Sequence, residues 1–167
     1  MISKQQFLDS CLNEIRIIKH LYGKVTPEML SYRPTEKQRS MLELLQYLSH
    51  FAKLETDAIY QGKAIANFQD AMKEAYQMPA NEFVAAMDAQ VEKLKNIFSK
   101  ITDAGLEESI DLFGRGQSQP RSLWFLNLIF KSLVAYKMQL FLYLKSCGVT
   151  NIGTGNLWRG EDTVHTQ

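Results

Sequence analysis

Between Pro120 and Cys147 the chain carries a run that is apolar on nearly every side. Leu123, Leu126, Phe130, Leu133, Lys137, Leu140 and Leu144 recur at helical spacing, and apolar residues occupy most of the other faces as well. A helix of this kind has to be covered nearly all round, so it is either central to a bundle or supplies a contact with another chain. A membrane span could also house it, but Asn127, Lys131, Lys137 and Gln139 interrupt the run. Each mid-bilayer lysine would cost roughly 2.5–3.5 kcal/mol on insertion scales. A soluble bundle helix, ended by Gly148 in the C′ position, is the expected form.

Three further helical stripes precede it, and strand alternation is nearly absent. Phe7, Cys11, Ile15, Ile18 and Tyr22 line one face of a helix that Ser3 and Gln6 can cap reciprocally and Gly23 ends. Thr26-Pro27-Glu28 opens a short helix, and Arg33-Pro34 breaks it because the residue before proline is pushed out of helical geometry. Ser40 and Glu43 repeat the capping-box spacing ahead of Met41, Leu44, Leu45, Leu48, Ala52 and Ile59, with Gly62 as the stop. Residues 62–79 form a long connection with room for a short helix from Ile65 to Tyr76. Phe83, Met87, Val91, Leu94, Phe98 and Ile101 mark the third helix, for which Gly105 is the natural terminator. A turn-rich loop through Gly114, Gly116 and Pro120 leads to the apolar run, and residues 148–167 read as an irregular tail.

At 167 residues, 46% hydrophobic and 22% charged, the chain suits one soluble domain, here an all-α four-helix bundle. The second helix, roughly 22 residues, is about 33 Å long. The connection after it is long enough to return along the bundle, which permits a crossover between helices two and three.

The N-terminus lacks the apolar core of a secretory signal, so a cytoplasmic protein is expected, with Cys11 and Cys147 as buried free thiols. The net charge of +1 offers no bulk attraction to nucleic acid or to an anionic membrane. Between Asp111 and Glu161, however, there is no acid, and Arg115, Arg121, Lys131, Lys137, Lys145 and Arg159 leave 13 bases against 18 acids elsewhere. Packing is expected to pair or bury several of these bases, so nucleic-acid binding is not expected. Lys131 and Lys137 lie on different helix faces, and one of them suits a buried, acid-paired position. Trp124 and Trp158 suit a bundle end or a dimer seam.

No Gly-rich phosphate loop, Cys-x-x-Cys pair or nucleophile elbow occurs. Gly114-Arg115-Gly116 reads as a flexible basic loop, and Asp9, Glu14, Glu55 and Asp57 as scattered acids on solvated faces.

Two stretches carry a family resemblance. Arg33-Pro34 followed by Arg39-Ser40-Met41-Leu42-Glu43-Leu44-Leu45-Gln46-Tyr47-Leu48 resembles a proline turn ahead of Trp-Ser-Ile-x-Glu-x-Leu-x-His-Leu. Tyr136-Lys137-Met138-Gln139-Leu140, then Tyr143-Leu144-Lys145 and Gly148, resembles His-Arg-Gly-Gln-Leu, Tyr-Leu-Arg and Gly. Their order and spacing resemble the DinB-like group, the DinB/YfiT-like metalloenzymes. The resemblance implies an up-down-down-up bundle, commonly a homodimer, and in members with a metal site a divalent ion such as zinc or nickel on three histidines.

In this chain those three positions correspond to Tyr47, Ser132 and Tyr136, and no histidine stands at any of them. A phenol with a pKa near 10 and a neutral hydroxyl are poor ligands at neutral pH, so no metal or other cofactor is expected. Of His-Arg-Gly-Gln only Gln139 is kept. A rebuilt site would need His50 with carboxylates such as Glu43, Glu14 or Glu55; His50 otherwise reads as a partly exposed helix residue. His20 reads as a partner of the first helix's dipole, and His165 falls in the tail. Tyr47, His50, Ser132, Tyr136 and Gln139 are therefore the pocket candidates, for a small polar ligand or as a satisfied polar plug. No catalytic residue is assigned. The expected role is ligand or partner binding, and the alternative is a metal-dependent hydrolase or thiol S-transferase with relocated ligands.

Overall fold

The computed structural model describes residues 2–162. Both predicted capping boxes form. Ser3 Oγ accepts from the Gln6 amide while Gln6 Oε1 accepts from the Ser3 amide, opening α1 (Lys4–Tyr22). Ser40 and Glu43 do the same for α2 (Met41–Gln61). Each box satisfies two amides that the first helical turn leaves without partners.

Gly62 ends α2 at φ 70°, with its N–H on Ile59 and that of Lys63 on Ala58. Gly148 does the same at φ 90° after the last long helix, with N–H bonds from Gly148 to Lys145 and from Val149 to Leu144. Both are Schellman endings, whose left-handed residue favours glycine.

The other long helices are α3 (Phe83–Lys100) and α4 (Arg121–Ser146). Their directions follow from the contacts. Gln46 Nε2 donates to the Met78 carbonyl, Gln90 Nε2 to Leu48, and Lys93 pairs with Asp57 at 2.7 Å, so α2 and α3 run parallel. Phe7 packs on Phe130 and Glu14 meets Lys137, so α1 and α4 are parallel as well. Tyr22 on Phe83 and Phe7 on Phe98 make α1 and α3 antiparallel. The chain is an up-down-down-up bundle, and the crossover is the long connection between α2 and α3. Its core runs through Ile15, Ile18, Leu44, Leu48, Phe83, Leu94, Phe125, Leu133 and Leu140.

Several local expectations are corrected. The connection holds two separate turns, Phe68–Ala71 and Ala75–Gln77, in place of one helix. Thr26 precedes a 3-10 turn, Pro27–Met29, without capping it through its side chain. Gly105 does not end α3, which stops at Lys100; it lies inside a short helix, Asp103–Glu107, N-capped by Thr102. A Cβ there would sit 3.2 Å from Ile101 and Thr102, and its carbonyl accepts from Arg121 Nη1 at 2.7 Å. The loop after it closes with a two-residue antiparallel pairing, Ser109–Ile110 against Gln119–Pro120.

Within α4 a π-turn at Phe125–Phe130 adds a residue to one turn. The buried stripe therefore shifts by one position upstream. Trp124, Phe125 and Ile129 face the core, whereas Leu123, expected there, is 41% exposed.

The tail is not irregular throughout. A short helix, α5 (Thr154–Trp158), docks Ile152, Asn156 and Leu157 onto the bundle. Asn156 Nδ2 donates to Asp162 at 2.8 Å and meets His20 Nε2 at 3.1 Å, while Lys24 pairs with Asp162 at 2.6 Å. Burial first, then the Lys24 charge, lowers the His20 pKa, and its Nε2 also lies 3.7 Å from Asp162 Oδ1. His165 lies outside the described residues.

By length and composition α4 could cross a membrane, but it packs against α1 and α2 and carries an internal ion pair. Lys137, 3% exposed, meets Glu14 Oε2 at 2.6 Å, and the Trp158 ring lies 5.4 Å from its ammonium. Glu14 is thus an interior acid and not a solvated one. Arg121 is also spent internally, on Glu108 and the Ile59 carbonyl. Lys131 points outward and bonds Asn127. Cys11 is buried, and burial, with the Glu14 charge second, pushes its thiol up to about 12; Cys147 is only half-buried.

Breaking a buried pair leaves an uncompensated charge, whereas replacing both partners with apolar groups can be nearly neutral. Lys137→Met should destabilise by roughly 3–5 kcal/mol in urea unfolding, and adding Glu14→Leu should recover most of that loss. Additive losses would contradict the pairing.

Candidate functional site

Because α2 and α4 run antiparallel, a residue two turns into α2 faces the middle of α4. That is where Tyr47 meets Tyr136, with ring centroids 4.9 Å apart. Phe51, one turn further on, stacks on Tyr47 at 5.3 Å with an interplanar angle of 5°, and Phe68 from the crossover closes a third side at 6.2 Å. The two phenols therefore stand in an aromatic cluster. Tyr47 is held protonated to unusually high pH, first by burial and then by the facing Tyr136 phenol.

The guanidinium of Arg39 covers this cluster. Its central carbon lies 4.1 Å from the Tyr47 ring centroid and 5.8 Å from that of Tyr136. Partly desolvated contacts of this sort contribute about 0.5–2 kcal/mol. The backbone at Arg39 is pinned as well. Tyr143 Oη donates to the Arg39 carbonyl at 2.8 Å and accepts from Gln139 Nε2 at 2.6 Å. Ser40, the next residue, is the N-cap of α2.

The sequence candidates separate accordingly. Tyr47 and Tyr136 are in direct contact, and Gln139 reaches the same corner through Tyr143. Ser132, one turn before Tyr136, is half-buried and makes no side-chain hydrogen bond among the described residues. His50 turns elsewhere: its Nδ1 lies 2.7 Å from Ser49 Oγ, and burial, then the Lys53 charge, lowers its pKa. Of the carboxylates a rebuilt metal site would need, Glu43 is committed to Ser40 and Arg33, and Glu14 to Lys137. Burial raises the pKa of Glu55. Among the described residues no three His, Cys, Asp or Glu side chains come together. Two phenols under a guanidinium do not fit a divalent cation: a phenol is a poor ligand for one, and the corner already carries a positive charge.

Arg39, Phe51, Phe68 and Tyr143 were not among the residues singled out from sequence. Arg39 did leave a signal, because it stands where the family pattern has tryptophan, eight residues ahead of the tyrosine that stands where it has histidine.

The helix directions, the long crossover and the facing positions on α2 and α4 make this the fold of the DinB-like proteins. The solved structure of the DinB-like protein YjoA from Bacillus subtilis superposes with a TM-score of 0.68 at 21% identity, covering 89% of this chain and 95% of that one. A candidate member of the DinB family from Exiguobacterium sibiricum 255-15 gives the same TM-score and identity over 92% of this chain and 98% of its own. In sequence, the uncharacterized protein YjoA of Bacillus subtilis strain 168 is 26% identical over 155 residues, 91% of this chain and 96% of the relative. No family model matches the chain.

Exposed phenols ionise near pH ~10. In a titration followed by phenolate absorbance, Tyr47→Phe should remove a phenol that ionises later than that group. Loss of an ordinary one instead would contradict the packing described.

Proposed function

We propose that this DinB-like chain is a cytoplasmic binding protein for a small polar ligand or a partner, working without the three-histidine metal of its family. The observation that carries the reading is the Tyr47–Tyr136 contact with the Arg39 guanidinium above it, at positions the resemblance assigns to metal ligands. Aromatic walls, a fixed cation and the Gln139–Tyr143 hydrogen-bond chain are the features by which small-molecule sites orient a ligand.

Elemental analysis of protein purified without an affinity tag tests it. Zinc, nickel and iron should each be far below one equivalent per chain. A stoichiometric metal would overturn the reading in favour of a metal-dependent hydrolase or thiol S-transferase with relocated ligands.

The chain is also proposed to be a homodimer. Leu123, Met138 and Leu142 along the outer face of α4 are 41%, 39% and 51% exposed. An outer face this apolar on a bundle helix is suited to burial against a second copy. Light scattering at micromolar concentration should return twice the chain mass of 19.2 kDa. A sharp monomer mass would contradict the dimer.

A further inference from the structure

We infer that the cavity at the N-terminal end of α2 is a binding site for a small oxyanion, a carboxylate or a phosphate, gripped by Arg39 with help from Lys37. The inference rests on the ligand-binding reading above and supplies its ligand chemistry.

The cavity has a volume of about 400 Å³ and is lined by Arg33, Lys37, Arg39, Glu43, Gln46 and Tyr76, among others. Three cations thus share a wall with one acid. That acid is already committed: Glu43 Oε2 accepts from the Ser40 amide at 2.7 Å and pairs with Arg33 Nη2 at 2.8 Å. Arg33 is spent in the same contact and on the Gln38 carbonyl. Arg39 and Lys37 are left, and among the described residues no carboxylate lies within ion-pair distance of either and no acceptor takes their side-chain N–H groups.

Arg39 is only partly exposed, and it is held in place at both ends. Tyr143 fixes its carbonyl, and the Tyr47 ring lies against one face of its guanidinium. A stacked guanidinium keeps its N–H groups at the edge of the plane, where they match the two oxygens of a carboxylate or phosphate. With no protein acceptor, its five donors are free for a ligand that takes two of them at once in place of water.

Gln46 adds an acceptor to the wall: its Nε2 donates to the Met78 carbonyl at 3.0 Å, and no side-chain or backbone donor among the described residues takes its Oε1. An acceptor beside a bidentate cation suits an oxyanion with a neighbouring hydroxyl or amine. Gln139 and Tyr143 are positioning residues in this arrangement, acting through the Arg39 backbone.

The test is calorimetric titration of the chelator-treated, full-length protein at low ionic strength with inorganic phosphate, glycerol 3-phosphate and lactate. At least one should bind saturably, phosphates alone marking a phosphate site and lactate alone a carboxylate site. Arg39→Gln should weaken that binding by about tenfold or more, the loss expected for a charge-assisted pair, and Lys37→Gln on the exposed loop should weaken it less. Near-ultraviolet circular dichroism and Tm show whether Arg39→Gln keeps its fold; if it does not, the Lys37→Gln result decides. No saturable binding of any of the three probes, or undiminished binding by the folded variant, overturns the site. Binding that appears only after zinc or nickel is restored overturns the metal-free reading instead.

Discussion

The crossover between α2 and α3 carries the chain back along the bundle, so that these two helices run in the same direction and α2 lies antiparallel to α4. Gln90 locks the parallel pair from within: wholly buried on α3, it donates to the Leu48 carbonyl and accepts from the Lys53 amide of α2. With α2 held at that height, the turn bearing Tyr47 faces the turn bearing Tyr136, and the N-terminal end of α2 meets the last turns of α4 where Tyr143 waits. The aromatic cluster, the pinned Arg39 carbonyl and the cavity beside it all descend from that alignment.

What the corner can do chemically follows from charge. A histidine-lined site is neutral until a cation enters and then holds a positive centre that polarises oxygen ligands. Here the positive centre is covalently part of the chain. Arg39 brings a permanent charge over the Tyr47 and Tyr136 rings, and a fixed cation of this kind favours an anionic ligand over a metal ion. The buried Glu14–Lys137 pair, on the other side of α4, belongs to a different role: it is closed by its own partner and by Trp158, and leaves no unpaired charge to offer.

The parts of this structure legible in the sequence are those set by neighbours in the chain. Ser3 with Gln6, Ser40 with Glu43, Gly62 and Gly148 each act within one helical turn, and each behaves as its spacing implies. Lys137 could be named as one of two candidates for burial because helical periodicity separates it from Lys131. Where the reading failed, a distant contact decided. Gly105 lies inside a short helix, where an added Cβ would crowd the Ile101 and Thr102 side chains at 3.2 Å, and it does not end α3. The extra residue in the π-turn of α4 leaves composition unchanged, yet it moves Trp124, Phe125 and Ile129 into the core in place of Leu123 and Leu126. The tail orders through Asn156, which reaches His20 across most of the chain. Tyr47 and Tyr136 could be placed together from the family pattern; the guanidinium over them could not, since nothing local directs Arg39 onto a ring a full two turns away.

Diffraction from crystals soaked in zinc or nickel, recorded at the metal's absorption edge, tests most directly whether an arginine has taken the cation's place. The account predicts guanidinium density against the Tyr47 ring and no anomalous peak among Tyr47, Ser132 and Tyr136. An ordered metal peak within bonding distance of those side chains, with Arg39 displaced from the ring, would contradict it.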